Sequence, residues 1–226
     1  MKKKNWISYG VIILIIPVIV ILGAVIFRNK QFAFISMAVT ILACVPFFIS
    51  FENKSHNSTR LVMIAILTAL SVVGRLVFAV VPGIKPVTAM VIITALYFGS
   101  EAGFMTGSLT ALLSNFALGQ GPWTPFQMLT WGLIGFVAGL LSERLKTNKA
   151  MLYIYGALSG IVFSLLMDLW SVIWQDGIFN LLRYISLLAS STIFCVIYAI
   201  SNVVFLFILT KPIGSKIERI KEKYGI

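Results

Sequence analysis

The side chains with chemical potential in this sequence lie inside long apolar segments. Arg75, Asn115 and Asp168 each interrupt such a segment. Charged and amide groups are costly in an apolar environment, so they normally face a bundle interior or a wet cavity. We therefore predict that the three side chains line one polar pocket. Two simpler interpretations stay open: Arg75 and Asp168 could only neutralise each other, and Asn115 could only join two helices by a hydrogen bond.

The depth of these residues indicates where the pocket opens. Counted from the inner ends of their predicted helices, they lie roughly 21–26 Å from the inner surface of an apolar core about 30 Å thick. The pocket is thus expected to open outward and to be closed toward the inside. Five further candidates for substrate binding lie in or beside loops at the same outer level: Lys85, Trp123, Gln127, Trp174 and Gln175. Aromatic walls with a few polar groups are typical of small-molecule sites.

The loop segment 119–128 (Gly-Gln-Gly-Pro-Trp-Thr-Pro-Phe-Gln-Met) joins two apolar segments. Thr124, Pro125 and Gln127 have the types and spacing of a helix N-cap, N1 and N3, which predicts a capping box. We expect this segment to roof the pocket, with Trp123 best placed to touch a ligand. Gln127 could instead serve only as the capping residue.

The elements that position these residues are membrane helices. Hydrophobic residues make up 59% of the 226 residues and charged residues 11%, whereas a soluble domain carries about 25% charged residues. The net charge of +11 is explained first by basic loops between apolar segments, so no nucleic-acid partner is expected. With a single histidine, His56, in a polar loop, neither a metal site nor a His-based catalytic centre is expected.

The apolar segments predict an all-α integral membrane protein with eight transmembrane helices, at about 6–27, 32–51, 60–80, 86–99, 101–118, 124–142, 151–174 and 186–210. Most of the 18 Lys and Arg residues then fall on one side, which predicts that both termini are cytoplasmic. We divide the chain into an N-terminal hairpin (1–52), a six-helix membrane domain (59–210) and a basic cytoplasmic tail (211–226). In the tail, Ile213, Ile217 and Ile220 share one face, which predicts an interfacial helix or a solvated tail.

The sequence lacks the motifs of an energy-coupled or catalytic protein. There is no P-loop, no nucleophile-elbow motif and no zinc-protease motif. Among the seven acids only Asp168 is expected to lie deep in the membrane, which argues against proton coupling. We therefore predict a binding subunit without cofactor or catalysis, driven from elsewhere. A membrane enzyme that uses Asp168 and Asp176 is the alternative from another class.

Ala65 and Ala69 form an A-x-x-x-A pattern in the third span. They lie about 100° around the helix from the polar stripe of Thr68, Ser71 and Arg75. Small residues at this spacing let another helix approach closely. A partner subunit or packing within the bundle could supply that helix.

The block from about 60 to 210 resembles the substrate-binding S components of energy-coupling factor (ECF) vitamin transporters. The resemblance rests on the six helices, the Ala65-x-x-x-Ala69 pattern, residues 97–104 (Tyr-Phe-Gly-Ser-Glu-Ala-Gly-Phe) and the Gly-Pro-Trp-Thr-Pro stretch at 121–125 followed by Trp131-Gly132. The last stretch is most similar to cobalamin-type S components. The extra hairpin at 6–51 departs from the minimal family pattern.

The resemblance implies a division of labour. An S component captures a vitamin outside a prokaryotic cell membrane, while a transmembrane scaffold subunit and two ATPase subunits supply the energy. Ala65 and Ala69 would contact the scaffold, and the loop at 81–86 would help to gate the pocket. Cobalamin is the substrate we expect. Another vitamin or precursor, or a structural assembly role without transport, are the alternatives.

Overall fold

The structure, a computed structural model, describes residues 6–26, 34, 35, 37–43, 45 and 58–225. Every regular element among them is a helix, as the apolar segments predict. In chain order the elements are α1 (Trp6–Gly10), a π-helical segment (Val11–Ile15), α2 (Ile16–Ile26), α3 (Ser58–Val77), α4 (Val87–Phe98), α5 (Ser100–Leu118), α6 (Thr124–Leu140), α7 (Ser142–Thr147), α8 (Lys149–Asp176) and α9 (Leu181–Tyr224).

The six helices predicted for residues 60–210 are present as α3, α4, α5, α6, α8 and α9. Among the described residues, α3, α8 and α9 are long and apolar enough to cross a bilayer. α4 and α6, with 12 and 17 residues, are shorter than the roughly 20 residues of a simple crossing. An all-helical membrane protein is thus supported, whereas the count of eight spans stays a prediction.

The predicted N-terminal hairpin lies partly outside the described residues. Its first helix runs through α1, the π-helical segment and α2, and the described residues of the second span are helical. Tyr9 packs edge-on against Phe136 of α6 with 5.0 Å between ring centroids. A Cβ at Gly23 would lie 2.5 Å from Ile35, so the two N-terminal segments touch at this point.

α4 forms the centre of the bundle. It is apolar around its whole circumference, and 11 of its residues are buried. A helix without a polar face is stable only where neighbours cover every side, and α3, α5, α6 and α9 all contact it. This burial explains how a helix of 12 residues is held among longer ones.

α5 and α6 meet backbone to backbone through glycines. A Cβ at Gly107 would lie 2.4 Å from the carbonyl oxygen of Trp131, and one at Gly135 would lie 2.4 Å from that of Gly103. Gly132, Gly135 and Gly139 of α6 all lie at such close approaches, as small residues at helix contacts commonly do. The contact fixes α6 against α5 and thereby sets the positions of the polar residues that both helices carry.

α9 continues without a break through Pro212 to Tyr224, so the boundary predicted at 211 is not a helix end. Ile217 is buried and Ile213 and Ile220 pack partly buried against the core. Residues 211–225 therefore do not form a fully solvated tail, whereas a position at the membrane surface stays a prediction. The isoleucine face turns toward the bundle instead, because apolar residues of the bundle lie directly beside it.

Two cations close the end of α4 next to this segment. Lys221 Nζ donates to the carbonyl oxygen of Tyr97 at 2.6 Å, and Arg60 Nη2 donates to that of Phe98 at 2.7 Å. The last carbonyls of a helix lack intrahelical partners and carry negative partial charge, so cations stabilise them. Lys221 thereby ties the end of α9 to the central helix.

Candidate functional site

Arg75 is the centre of a buried polar cluster. It lies in the last turn of α3 and is 6% exposed. Its Nη1 donates to Ser114 Oγ and, at 2.8 Å, to Asn115 Oδ1, both on α5. Its Nη2 donates to Gln127 Oε1 of α6 at 3.3 Å. Two helices, α5 and α6, therefore place neutral oxygen acceptors around the guanidinium group of a third helix, α3.

The first turn of α6 contributes to the same cluster. Asn115 Nδ2 donates to Thr124 Oγ1 at 2.9 Å and to Gln127 Oε1 at 3.0 Å. The capping box predicted from Thr124, Pro125 and Gln127 is therefore wrong: Trp123 is the N-cap, and no side chain caps the helix. Thr124 and Gln127 face inward because Asn115 and Arg75 offer partners there.

The charge of Arg75 has no carboxylate partner among the described residues. The one ion pair among the described residues joins Arg183 to Asp176. Arg75 Nε is buried without a hydrogen-bond partner, and the guanidinium lies 4.9 Å from the centroid of the Trp131 ring. A buried cation held only by neutral groups, with one donor to spare, is suited to bind a polar or anionic ligand atom.

A cavity of about 120 Å³ lies beside Arg75, under the connection between α3 and α4. Arg75, Gly83 and Lys85 are among its lining residues. Gly83 has a φ of +80°, and a Cβ there would lie 2.7 Å from Ile197 of α9. The Lys85 backbone amide donates to Ser201 Oγ at 3.2 Å. The connection between α3 and α4 thus covers the cavity and packs against α9.

Lys85 also lines a second, narrow cavity with free space of about 10 Å³, room for roughly one water molecule. Aromatic rings form its walls: Trp131 stacks on Phe163 at 4.7 Å, and Phe163 packs edge-on against Tyr198 at 5.6 Å. Lys85 Nζ lies 5.4 Å from the centroid of the Tyr198 ring. A row of three aromatic rings therefore connects Arg75 to Lys85, with one cation at each end.

Trp123 belongs to a separate aromatic row at the end of the bundle where α6 begins and α8 ends. Its ring packs edge-on against Trp170 at 6.3 Å, and Trp170 stacks on Trp174 at 6.1 Å. Trp174 is 45% exposed. A Cβ at Gly121 would lie 2.3 Å from the Trp123 ring, so the glycine leaves room for that ring to fold back over the segment.

Asp168 does not meet Arg75. Its carboxylate accepts a hydrogen bond from Ser191 Oγ of α9. Gly156 and Gly160, which lie on the same helix α8 as Asp168, also contact α9. Arg75 and Asp168 form no ion pair in the described part of the chain, so they do not neutralise each other directly, and a pocket common to both stays a prediction.

Gln175 also lies apart from the cluster. It is exposed and accepts from Arg183 Nη1 at 2.8 Å, next to the ion pair between Arg183 and Asp176. Of the eight predicted binding residues, the structure thus joins Arg75, Asn115 and Gln127 directly and Lys85 through a shared cavity. Trp123 and Trp174 belong to the separate aromatic row, while Asp168 and Gln175 bind other partners.

The model of the family described as ECF-type riboflavin transporter, S component, matches residues 55–219, well over half of the chain. The chain belongs to this family of S components. Searches of curated proteins and of solved structures found no significant match. An S component is the substrate-binding subunit of a transporter and not a catalytic one, in agreement with the absence of catalytic motifs from the sequence. The cobalamin specificity that we expected has no support from the match.

The S component also contains site residues that the sequence patterns did not single out. Trp131, Phe163, Tyr198 and Asn202 surround the narrow cavity beside Lys85. Trp131 was noted only as part of the family resemblance. The other three lie in apolar helices, and their spacing in the sequence does not distinguish them from neighbouring residues. Only contact between α6, α8 and α9 identifies them.

Lys85 lies in the connection between α3 and α4, outside the membrane-spanning helices. Because its pKa is shifted, we expect the stability of the S component to depend on pH. Burial, and secondarily the charge of Arg75, lowers the pKa of Lys85 to about 8. Between about pH 8 and pH 10.5 the unfolded chain therefore binds more protons than the folded one, so folding stability contributed by this group rises with pH. Below pH 8 the cost is fully present and amounts to at most about 3 kcal/mol.

We expect Lys85→Met to be more stable than the wild type at pH 7, with the gap narrowing toward pH 9.5. Thermal unfolding in detergent at several pH values measures this gap. Lys211→Met removes an exposed lysine and serves as the matched control. Parallel curves for the wild type and Lys85→Met would contradict the assignment.

Proposed function

We propose that this S component captures riboflavin outside a prokaryotic cell and delivers it to an ECF transport complex. A transmembrane scaffold subunit and two ATPase subunits would supply the energy, since the chain carries no P-loop. Both termini would lie in the cytoplasm. The observation that supports this substrate is the contact of the Arg75 cluster with the stacked rings of Trp131 and Phe163. The family to which the chain belongs is also named for riboflavin.

The chemistry of riboflavin suits this arrangement. Its three-ring isoalloxazine is flat and bears two carbonyl oxygens, and its ribityl chain bears hydroxyl groups. Trp131, Phe163 and Tyr198 offer aromatic faces to such a ring system. Arg75, with its unpartnered Nε, and Lys85 offer donors to carbonyl oxygens. Asn115, Gln127 and Asn202 could exchange hydrogen bonds with hydroxyl groups.

Binding would require the connection between α3 and α4 to move. Sites for ligands of this size occupy about 300 Å³ or more, whereas the two cavities that Lys85 lines have about 120 and 10 Å³. Residues 78–86 separate the larger cavity from the outside and touch α9 through Gly83 and Lys85. We propose that this connection opens to admit the substrate, with Trp123 and Trp174 at the entrance.

Cobalamin, the substrate expected from the Gly-Pro-Trp-Thr-Pro stretch, is the less supported candidate. That stretch contributes Thr124 to the Arg75 cluster, a contact that any polar ligand could use. A corrin is also far larger than a flavin, so it would need a greater rearrangement of residues 78–86. An assembly role without a substrate is the remaining alternative.

Ligand binding by the purified protein tests the proposal. Flavin fluorescence is quenched when the ring stacks on Trp or Tyr, so titration of riboflavin should give saturable quenching. We expect riboflavin to compete far better than cobalamin, thiamine or biotin. Arg183→Gln removes the exposed arginine at the outer end, which binds Asp176 and Gln175, and should bind riboflavin like the wild type.

The outcomes separate the candidates. Saturable binding of cobalamin without riboflavin would replace the proposed substrate. Binding of neither, in a folded protein that retains its thermal transition, would favour the assembly role. ATP-dependent riboflavin uptake in a cell that supplies the scaffold and ATPase subunits would then test delivery.

A further inference from the structure

An open groove of about 620 Å³ lies at the end of the bundle where α3 begins and α9 ends. Its apolar side chains include Val62, Met63 and Ile220, and Lys216, Arg219 and Lys223 line it from α9. The groove is far from the Arg75 cluster, which occupies the opposite end of α3. Neither the family match nor the proposed function gives it a role.

The charge of the groove is positive on the side formed by α9. Lys216, Arg219 and Lys223 share one face because they are three and seven residues apart. Glu218 and Glu222, the acids of this segment, lie roughly 200–240° around the helix from Lys216, on the far side. Glu218 is engaged there with Tyr97. No described carboxylate lines the groove.

An apolar strip leads out of the groove along α3. Val62, Ile66 and Leu70 follow one another at four-residue steps and are 55%, 47% and 50% exposed. The strip runs from the cations of the groove toward the middle of α3. A ligand that fits both parts has an anionic group attached to long apolar chains.

We propose that this groove binds the headgroup of an anionic phospholipid, with the acyl chains lying along the strip on α3. Clusters of Lys and Arg at the membrane end of helices attract anionic lipid headgroups, and pockets between such helices hold them. An acidic segment of a partner protein would use the cations but not the strip, so the lipid fits more of the observed surface. Soluble phosphate compounds would likewise leave the strip unused.

Native mass spectrometry of the full-length protein in detergent tests this binding. Phosphatidylglycerol and phosphatidylcholine with identical acyl chains are titrated in parallel, and the fraction of protein with bound lipid is recorded. We expect preferential retention of phosphatidylglycerol. The triple variant Lys216→Gln, Arg219→Gln, Lys223→Gln should weaken it about 100-fold at low ionic strength, since each basic residue contributes about fivefold.

A matched triple variant removes the same charge outside the groove: Arg144→Gln, Lys149→Gln and Lys211→Gln, all exposed. It should retain phosphatidylglycerol like the wild type. Equal losses in the two triple variants, or equal retention of both lipids, would overturn the proposal. Displacement of the lipid by millimolar glycerol phosphate would also overturn it, because the apolar strip would then contribute nothing. Thermal unfolding of each variant verifies that the bundle is intact.

Discussion

Replacement of Arg75 by methionine is expected to weaken riboflavin binding by about 100-fold or more. Hydrogen bonds from a charged donor contribute about 1.5–3 kcal/mol each, and about 2.7 kcal/mol corresponds to that factor. Methionine keeps most of the side-chain volume but removes every donor of the guanidinium. Arg75→Lys keeps the charge without the planar fork that reaches α5 and α6 together, so an intermediate loss is expected. Fluorescence titration gives the dissociation constants.

The folded state of the Arg75 variants needs a separate measurement. Without Arg75, Asn115 still donates to Thr124 and Gln127, so the contact between α5 and α6 persists. We therefore expect a cooperative thermal transition for Arg75→Met. Arg183→Gln provides the matched loss of an arginine at the same end of the bundle. If folded Arg75→Met bound riboflavin as tightly as the wild type, the site would have to lie elsewhere.

The cluster around Arg75 could be predicted from the sequence because its members are polar residues in apolar helices. An amide or a guanidinium inside a bilayer has few polar partners available. The free-energy cost of burying such groups alone therefore favours contacts between them. Residue counting from the helix ends was enough to place Arg75 and Asn115 at one level. Their direct contact in the structure follows from the same argument.

The position of Asp168 could not be predicted in this way. Regular spacing shows that Gly156, Gly160 and Asp168 share one side of α8, but it does not show which neighbouring helix covers that side. α9 covers it, and Ser191 supplies the partner of the carboxylate. The packing of α8 against α9, which depends on the glycines and on Asn202, determines the partner that Asp168 meets.

Local motifs failed where tertiary partners were available. Thr124 and Gln127 have the spacing of a capping box, yet their side chains bind Asn115 and Arg75 instead. A proline at 212 would often end a helix, yet α9 passes through it to Tyr224. In both cases packing energy outweighs the local preference, which no pattern within a few residues can show.

Bulky substitution at Ala65 and Ala69 is expected to abolish riboflavin uptake and to spare riboflavin binding. Both alanines are exposed on α3. Thr68, Ser71 and Arg75 are buried on another side of the same helix. A phenylalanine at either alanine would therefore keep a proposed scaffold helix at a distance without touching the Arg75 cluster.

Uptake in cells with the scaffold and ATPase subunits, and binding by the purified variants, give the two measurements. Ala189→Phe introduces the same bulk at an exposed alanine of α9 and should leave both unchanged. Loss of binding in Ala65→Phe or Ala69→Phe would show that the two faces of α3 are coupled. Normal uptake would exclude close helix packing at these alanines. Uptake lost with binding kept would place the partner at Ala65 and Ala69, because these two positions are all that the substitutions change.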